Sequence, residues 1–137
     1  MATLVYRNAM LQLGTVNLSA YVQSLALSYE AESLDETAMG DDSRVRKGGL
    51  KTWGVDVTFQ QDFASGAVDA TLHGIVGCQT CMEVRPQHIC STTINPRFQG
   101  TVMVQSAPPV AGGVGDLLMA TVRLESAGDL SRNTAAT

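Results

Sequence analysis

The sequence predicts a mainly β protein, a β-sandwich or open barrel of antiparallel strands with one flanking α-helix. Three observations carry that prediction. Trp53, Val55, Val57 and Phe59 alternate with Thr52, Gly54, Asp56, Thr58 and Gln60, the period of two of a strand with one packed and one wet face. Leu118, Ala120, Val122 and Leu124 alternate in the same way with Thr121, Arg123 and Glu125. A helical stripe stands out in one place only, at Val68, Leu72, Ile75 and Val76. A chain of 137 residues has room for one domain with a proper core.

Taken in order, residues 1–9 read as an N-terminal arm, and Met10 to Leu13 as a short strand closed by a turn at Gly14 and Thr15. Apolar residues at 16, 18, 20 and 22 change phase to Leu25, Leu27 and Tyr29. The change places a bend or short helical turn near Gln23 and Ser24, then a strand over 24–33. Residues 34–48 show no periodicity and mix Asp35, Glu36, Asp41 and Asp42 with Arg44, Arg46 and Lys47. They predict a long loop or a partly formed hairpin, and a loop of about fifteen residues in a compact domain usually has a task. The strand over 50–62 is the strongest in the chain. Burying Trp53, Val55, Val57 and Phe59 at about 1.5–3 kcal/mol each contributes roughly 6–12 kcal/mol, and a slip of one residue would expose all four.

The helix is predicted over about 65–77, with Ser65 as N-cap, Asp69 in its first turns and Gly77 just past its end. Its stripe of Val68, Leu72 and Ile75 joins the core. Short strands follow at Met82 to Arg85, stopped by Pro86, and at Gly100 to Ser106, ended by Pro108 and Pro109. The connection 86–100 holds Asn95 and Pro96, and Val110 to Gly115 is a flexible turn. All four prolines fall between predicted strands, as ladder hydrogen bonding requires. Residues 127–137 read as a polar C-terminal tail, mobile in an isolated subunit.

Hydrophobic residues make up 45% of the chain and charged residues 16%, which excludes a disordered chain and leaves a lightly charged surface suited to being covered by partners. A net charge of −4 gives no basic footprint for gripping phosphate backbones. No basic segment followed by a long apolar one opens the sequence, and no apolar run of about 18 residues occurs. The chain is expected to be made and kept in a cytoplasm, without a membrane partner.

Catalytic and metal chemistry find little support. Cys78, Cys81, His88 and Cys90 offer soft zinc ligands, but His88 and Cys90 lack the second-knuckle spacing, so the cysteines read as reduced, small buried hydrophobes. His73 has no nucleophile context and reads as a surface residue. The acid pairs Asp35–Glu36 and Asp41–Asp42 sit in a loop with no scaffold to fix a catalytic separation. The glycines at 112, 113 and 115 lack the Gly-Lys-Ser/Thr of a phosphate loop. No enzyme activity, cofactor or metal is expected.

The order of several short motifs resembles the tail tube (major tail) proteins of long-tailed bacteriophages. The motifs are Leu18-Ser19 with Tyr21-Val22, Glu36 to Asp41, Gly49-Leu50 opening the strand that ends Phe59 to Asp62, Asn95 to Gly100, Gly113 to Asp116, and Gly128 to Thr134. The resemblance implies a structural virion protein that forms hexameric rings, stacked into a tube that conducts genomic DNA during ejection. It implies a β-sandwich with a flanking helix, one sheet of which joins its neighbours' sheets around the lumen. The loop 34–48 matches the family's inter-ring loop, which makes Asp35, Glu36, Asp41, Asp42, Arg44, Arg46 and Lys47 its contact residues.

The strand 50–62 matches one beside the lumen, and its wet face, Thr52, Asp56, Thr58 and Gln60, is expected to look into the bore. Six copies at −4 each carry −24 per ring, so DNA would pass without specific binding. The implied partners are copies of the chain and other tail proteins at the tube ends, and the implied location is the virion tail, assembled in a bacterial cytoplasm. Two alternatives stand beside this: another tube or ring former, such as a secretion-tube or baseplate-proximal tail protein, and a small zinc-binding module built on Cys78, Cys81, His88 and Cys90.

Overall fold

A computed structural model describes residues 7, 9–87 and 94–134. Along the chain come β1 (Met10–Leu13), β2 (Val16–Asn17), a 3-10 turn at Ser19–Tyr21, β3 (Val22–Asp35) and β4 (Arg46–Gln60). Then follow α1 (Val68–Leu72), which runs on as a 3-10 turn over His73–Ile75, and β5 (Gln79–Arg85), β6 (Arg97–Ser106), β7 (Met119–Ser126) and β8 (Ser131–Asn133). The strands make one sheet in the order β2-β1-β5-β6-β7-β4-β3, with β8 beside β6, and all of these pairs are antiparallel.

The sheet curls over on itself. β3 and β6 are separated by two strands, yet Leu25 and Leu27 of β3 line one cavity of about 130 Å³ together with Val84, Pro86 and Phe98. The architecture is therefore mainly β and antiparallel, with a single short α-helix among the described residues, folded as an open barrel. Its interior is filled from alternate positions of each strand: Leu11 and Leu13, Trp53 to Phe59, Met82 and Val84, Val102 and Val104, and Val122 and Leu124. Val68 and Leu72 of α1 are buried in the same cluster and Ile75 packs against it half-buried. The phase change near Gln23 is a register irregularity between Val22 and Ser24.

Several expectations need correction. β3 and β4 take residues 34–35 and 46–48 of the expected loop, so the connection narrows to 36–45. The helix begins two residues later than predicted and Ser65 does not cap it; its N-cap is Ala67, with no side-chain cap hydrogen bond. The reason is local: the Asp62 carboxylate accepts the Ala64 N–H at 2.9 Å, Ala67 N–H donates to Ala64 O, and Gly66 takes a positive φ of 77°, so a turn occupies these residues. Cys78 and Cys81 are exposed thiols rather than buried ones. The C-terminal stretch supplies β8, which pairs Arg97, Phe98 and Gln99 with Asn133, Arg132 and Ser131. The end of the N-terminal arm, the middle of the 86–96 connection with His88 and Cys90, and residues 135–137 lie outside the described residues.

Trp53 fixes where the C-terminal segment crosses the barrel. Its indole Nε1 donates to the Gly128 carbonyl at 2.8 Å, and its ring lies against Gly100, where a Cβ would stand 2.6 Å from Cη2 and Cζ2. Only a glycine leaves room for the ring at that point. Gly100→Ala must push Trp53 out of its place, and stability should fall by about 1–3 kcal/mol. Denaturant unfolding of dilute subunits measures this, and an unchanged midpoint would refute the packing described.

Candidate assembly surfaces

β4 is longer than the sheet behind it. Its register with β7 covers only Gly54 to Gln60, whereas its register with β3 runs on to Arg46 and Asp35. Residues 46–53 thus have β3 on one side and no strand on the other among the described residues. At about 3.3 Å per residue this leaves an arm of two strands some 25 Å long, before the connection is counted. Isolated two-stranded ribbons are marginal in water. This one also exposes Leu34, Val45, Leu50 and Met39, the last of them completely.

The tip is nevertheless ordered by its own polar groups. Glu36 N–H donates to Val45 O at 2.8 Å, and Val45 N–H donates to the Thr37 hydroxyl at 2.9 Å. The Asp35 carboxylate accepts the Thr37 N–H at 2.9 Å and an Arg44 Nη1 bond at 2.9 Å, and Asp41 accepts the Ala38 N–H at 2.8 Å. Arg46 stands opposite Asp35 and Lys47 opposite Leu34. The seven charged residues singled out from the sequence are therefore together and exposed at one end of the arm, with Glu36 and Asp42 facing solvent. Lower down, Lys51 Nζ sits 5.8 Å from the Tyr29 ring centre, a cation–π contact that stiffens the stem.

The polar face of β4 carries a cluster that sequence reasoning did not assemble. Arg123 Nη1 donates to Asp56 at 2.9 Å and Arg123 Nε donates to Glu125 at 2.8 Å. The Glu125 hydrogen bond, with the Asp56 bond behind it, holds the guanidinium more firmly charged against its partial burial. Gly54 makes the arrangement possible, because a Cβ there would stand 2.5 Å from Arg123 Nη2. Gly54 is accordingly buried under Arg123 rather than wet. Thr52, Asp56 and Gln60 are exposed and Thr58 is half-buried, so the face is polar with small side chains and one acid-rich ion cluster. The placing of Arg123 and Glu125 on the wet side of their strand was the available signal.

A second missed cluster lies on the outer side of β5 and β6, where Arg85 Nη2 meets Glu83 at 2.7 Å and Arg97 Nε approaches the same oxygen at 3.8 Å. No group of three or more His, Cys, Asp or Glu suited to a metal occurs among the described residues. Among the described residues no helix is long and apolar enough to cross a membrane. His73 is exposed.

At one margin of the sheet β3 is unpaired along its outer edge among the described residues, and at the other β1 is covered only by the two-residue β2. A long free edge is a template for another strand. The fold as a whole is found in known structures. A chain in the virion of a native gene transfer agent particle matches with a TM-score of 0.78 at 19% identity, covering 96% of this chain and 99% of that one. The SPP1 tail tube, determined by solid-state NMR and cryo-EM, matches with a TM-score of 0.75 at 10% identity, covering 98% and 81%. The chain has a tail-tube fold. A chain in the tail of an empty gene transfer agent particle, refined with C6 symmetry, shares this tail-tube fold with a TM-score of 0.71 at 20% identity, covering 93% and 95%. No family model matches the chain, and no curated protein does.

The tip's electrostatics give a prediction. Hydrogen bonds from Thr37, side chain first and backbone second, with Arg44 adding less, hold the Asp35 carboxyl below its ordinary value of 3.8. A depressed carboxyl supports structure above its unfolded value and withdraws that support as pH falls through its folded one. The tip should stay ordered at about pH 5 and loosen only in stronger acid. Following the Thr37 amide NMR shift through the titration should give a midpoint below 3.8, and a midpoint at or above that value would contradict the assignment.

Proposed function

We propose that this chain is the repeating subunit of a phage-type tail tube, a structural virion protein that forms rings of six, stacked into a hollow conduit for genomic DNA. The observation that carries the reading is the likeness to tail structures across 93% and 98% of the chain, and the C6 symmetry of one of those tails supports the ring number. The chain's own chemistry agrees. The free edge of β3 and the lightly covered edge of β1 are available to extend one sheet from subunit to subunit around a ring. The arm that ends in 36–45 projects out of the barrel with apolar side chains in water, and reaching an adjacent ring would cover them.

In this reading Thr52, Asp56, Thr58 and Gln60 face the bore. Asp56 and Glu125 outnumber Arg123 there, so the face is weakly acidic and would repel phosphates rather than hold them. The subunit is not an enzyme and carries no cofactor. Other tail proteins close the two ends of the tube, assembly takes place in the host cytoplasm, and DNA passes through without sequence recognition. A ring former that does not stack would share the lateral contacts and lack the axial ones.

Cryo-EM of the purified protein tests the proposal. It should show hollow filaments of uniform width with six subunits per ring and the β4 polar face lining the lumen. Solitary subunits at every concentration would reject it, and solitary rings would favour the non-stacking alternative.

A further inference from the structure

The opposite end of the molecule from the arm is also apolar. Gln60 ends β4 with Met119 of β7 beside it, and the next residue, Gln61, ties down the β6–β7 loop by donating from its N–H to Leu118 O at 3.0 Å and from Nε2 to Pro109 O at 2.9 Å. This places Phe63 close to both ends of that loop. The loop itself lifts Val110, Val114 and Leu117 into solvent, with Val114 fully exposed and positive φ at Gly112 and Gly115 shaping the bend. Scattered surface hydrophobes need no explanation, but four carried by the β4 end and the loop tied to it do on so lightly charged a protein.

The two apolar ends are separated by the fifteen residues of β4, roughly 45–50 Å of extended chain, and they point in opposite directions along it. Their charges differ as well. Asp62, Asp69 and Asp116 lie at the loop end, and the sequence holds no lysine or arginine between 52 and 84 or between 98 and 122. At the arm end Arg46 and Lys47 are exposed and make no side-chain ion pair among the described residues.

We infer that the pole formed by Phe63, Val110, Val114 and Leu117 is the receiving surface for the arm tip of a second copy, which seats Leu34, Met39 and Val45 on it and brings Arg46 and Lys47 to its carboxylates. The inference rests on the tube reading above and names the partner surface for the arm. A contact between two different patches of one chain is heterologous, so it repeats head to tail without closing and generates a filament. It directs the arm along the filament axis and makes stacking polar, every ring presenting tips on one side and poles on the other. It also covers in one contact the exposed apolar side chains at the arm tip and on the loop, Met39 and Val114 among them.

Val114→Asp and Met39→Asp test it, with Val110→Asp as a second pole variant. All three positions are open to solvent, so the circular dichroism of the wild type should be kept. Each variant alone should still make rings, while mean filament length by electron microscopy drops about tenfold or more, since each tenfold follows from a modest loss of contact free energy. Mixing preformed Met39→Asp rings with Val114→Asp rings should enrich pairs of rings over either variant alone, because only one of the two possible mixed junctions keeps an intact tip and an intact pole. Wild-type filament lengths from both pole variants would overturn the inference and leave the tube reading standing. A wild-type chain that forms neither rings nor filaments would overturn the tube reading itself.

Discussion

The structure depends on a mismatch in length between two neighbours in one sheet. β4 has fifteen residues, and only the seven from Gly54 to Gln60 are held between β3 and β7. In the doubly paired half, Val55, Val57 and Phe59 point into the barrel and are fully buried, giving a core that needs nothing from outside. Beyond it, residues 46–52 have no strand on their far side among the described residues and are exposed apart from the half-buried Gly49, so their hydrogen-bonded ladder stands in water. One strand is thus part core element and part external limb, with the border at Trp53. The bond from its indole to Gly128 and its close seat on Gly100 anchor the limb at its root, which lets the limb project in a defined direction.

That division explains the surface. A chain with 16% charged residues has few means of keeping apolar side chains solvated, and it spends many of its charges at the arm tip, where Asp35, Arg44 and Asp41 close the connection through bonds to Thr37 and Ala38. Elsewhere the polar groups keep to outward positions of the strands and pair across them, as Arg123 does with Asp56 and Glu125. Glu83 and Arg85 likewise pair on one face of β5, and much of the apolar exposure falls at the arm and at the β6–β7 loop.

What the sequence made legible follows from what the folded chain buries. Where one face of a strand is packed, as at Trp53 to Phe59 and Ala120 to Leu124, the period of two is written into the residues and the strand can be read from them. The extension of β3 and β4 through Leu34, Asp35, Arg46 and Lys47 could not be read, because neither side of the arm is buried and no alternation is imposed. The helix was found through Val68 and Leu72, but its start was misplaced. The turn at Ala64–Ala67, with Gly66 at positive φ, uses the same polar residue types that cap helices. Cys81 was taken for a buried residue on its type, although it shares the outward parity of Glu83 and Arg85 in β5. The charged tip residues were legible as a group. Their mutual bonds, and the Arg123 cluster across two strands far apart in sequence, were not, since cross-strand register is set by tertiary pairing.

The central claim is that the free edge of β3 and the arm become covered by copies of the same chain. Hydrogen exchange compared between dilute subunits and assembled particles tests it most directly, because outward amides along Val22–Asp35 and those of 36–45 have no partner strand in the subunit described here. Exchange at these amides should slow strongly on assembly, while the amides of β6 and β7, already paired on both sides for much of their length, change little. Equal exchange along β3 and the arm in both states would contradict the claim.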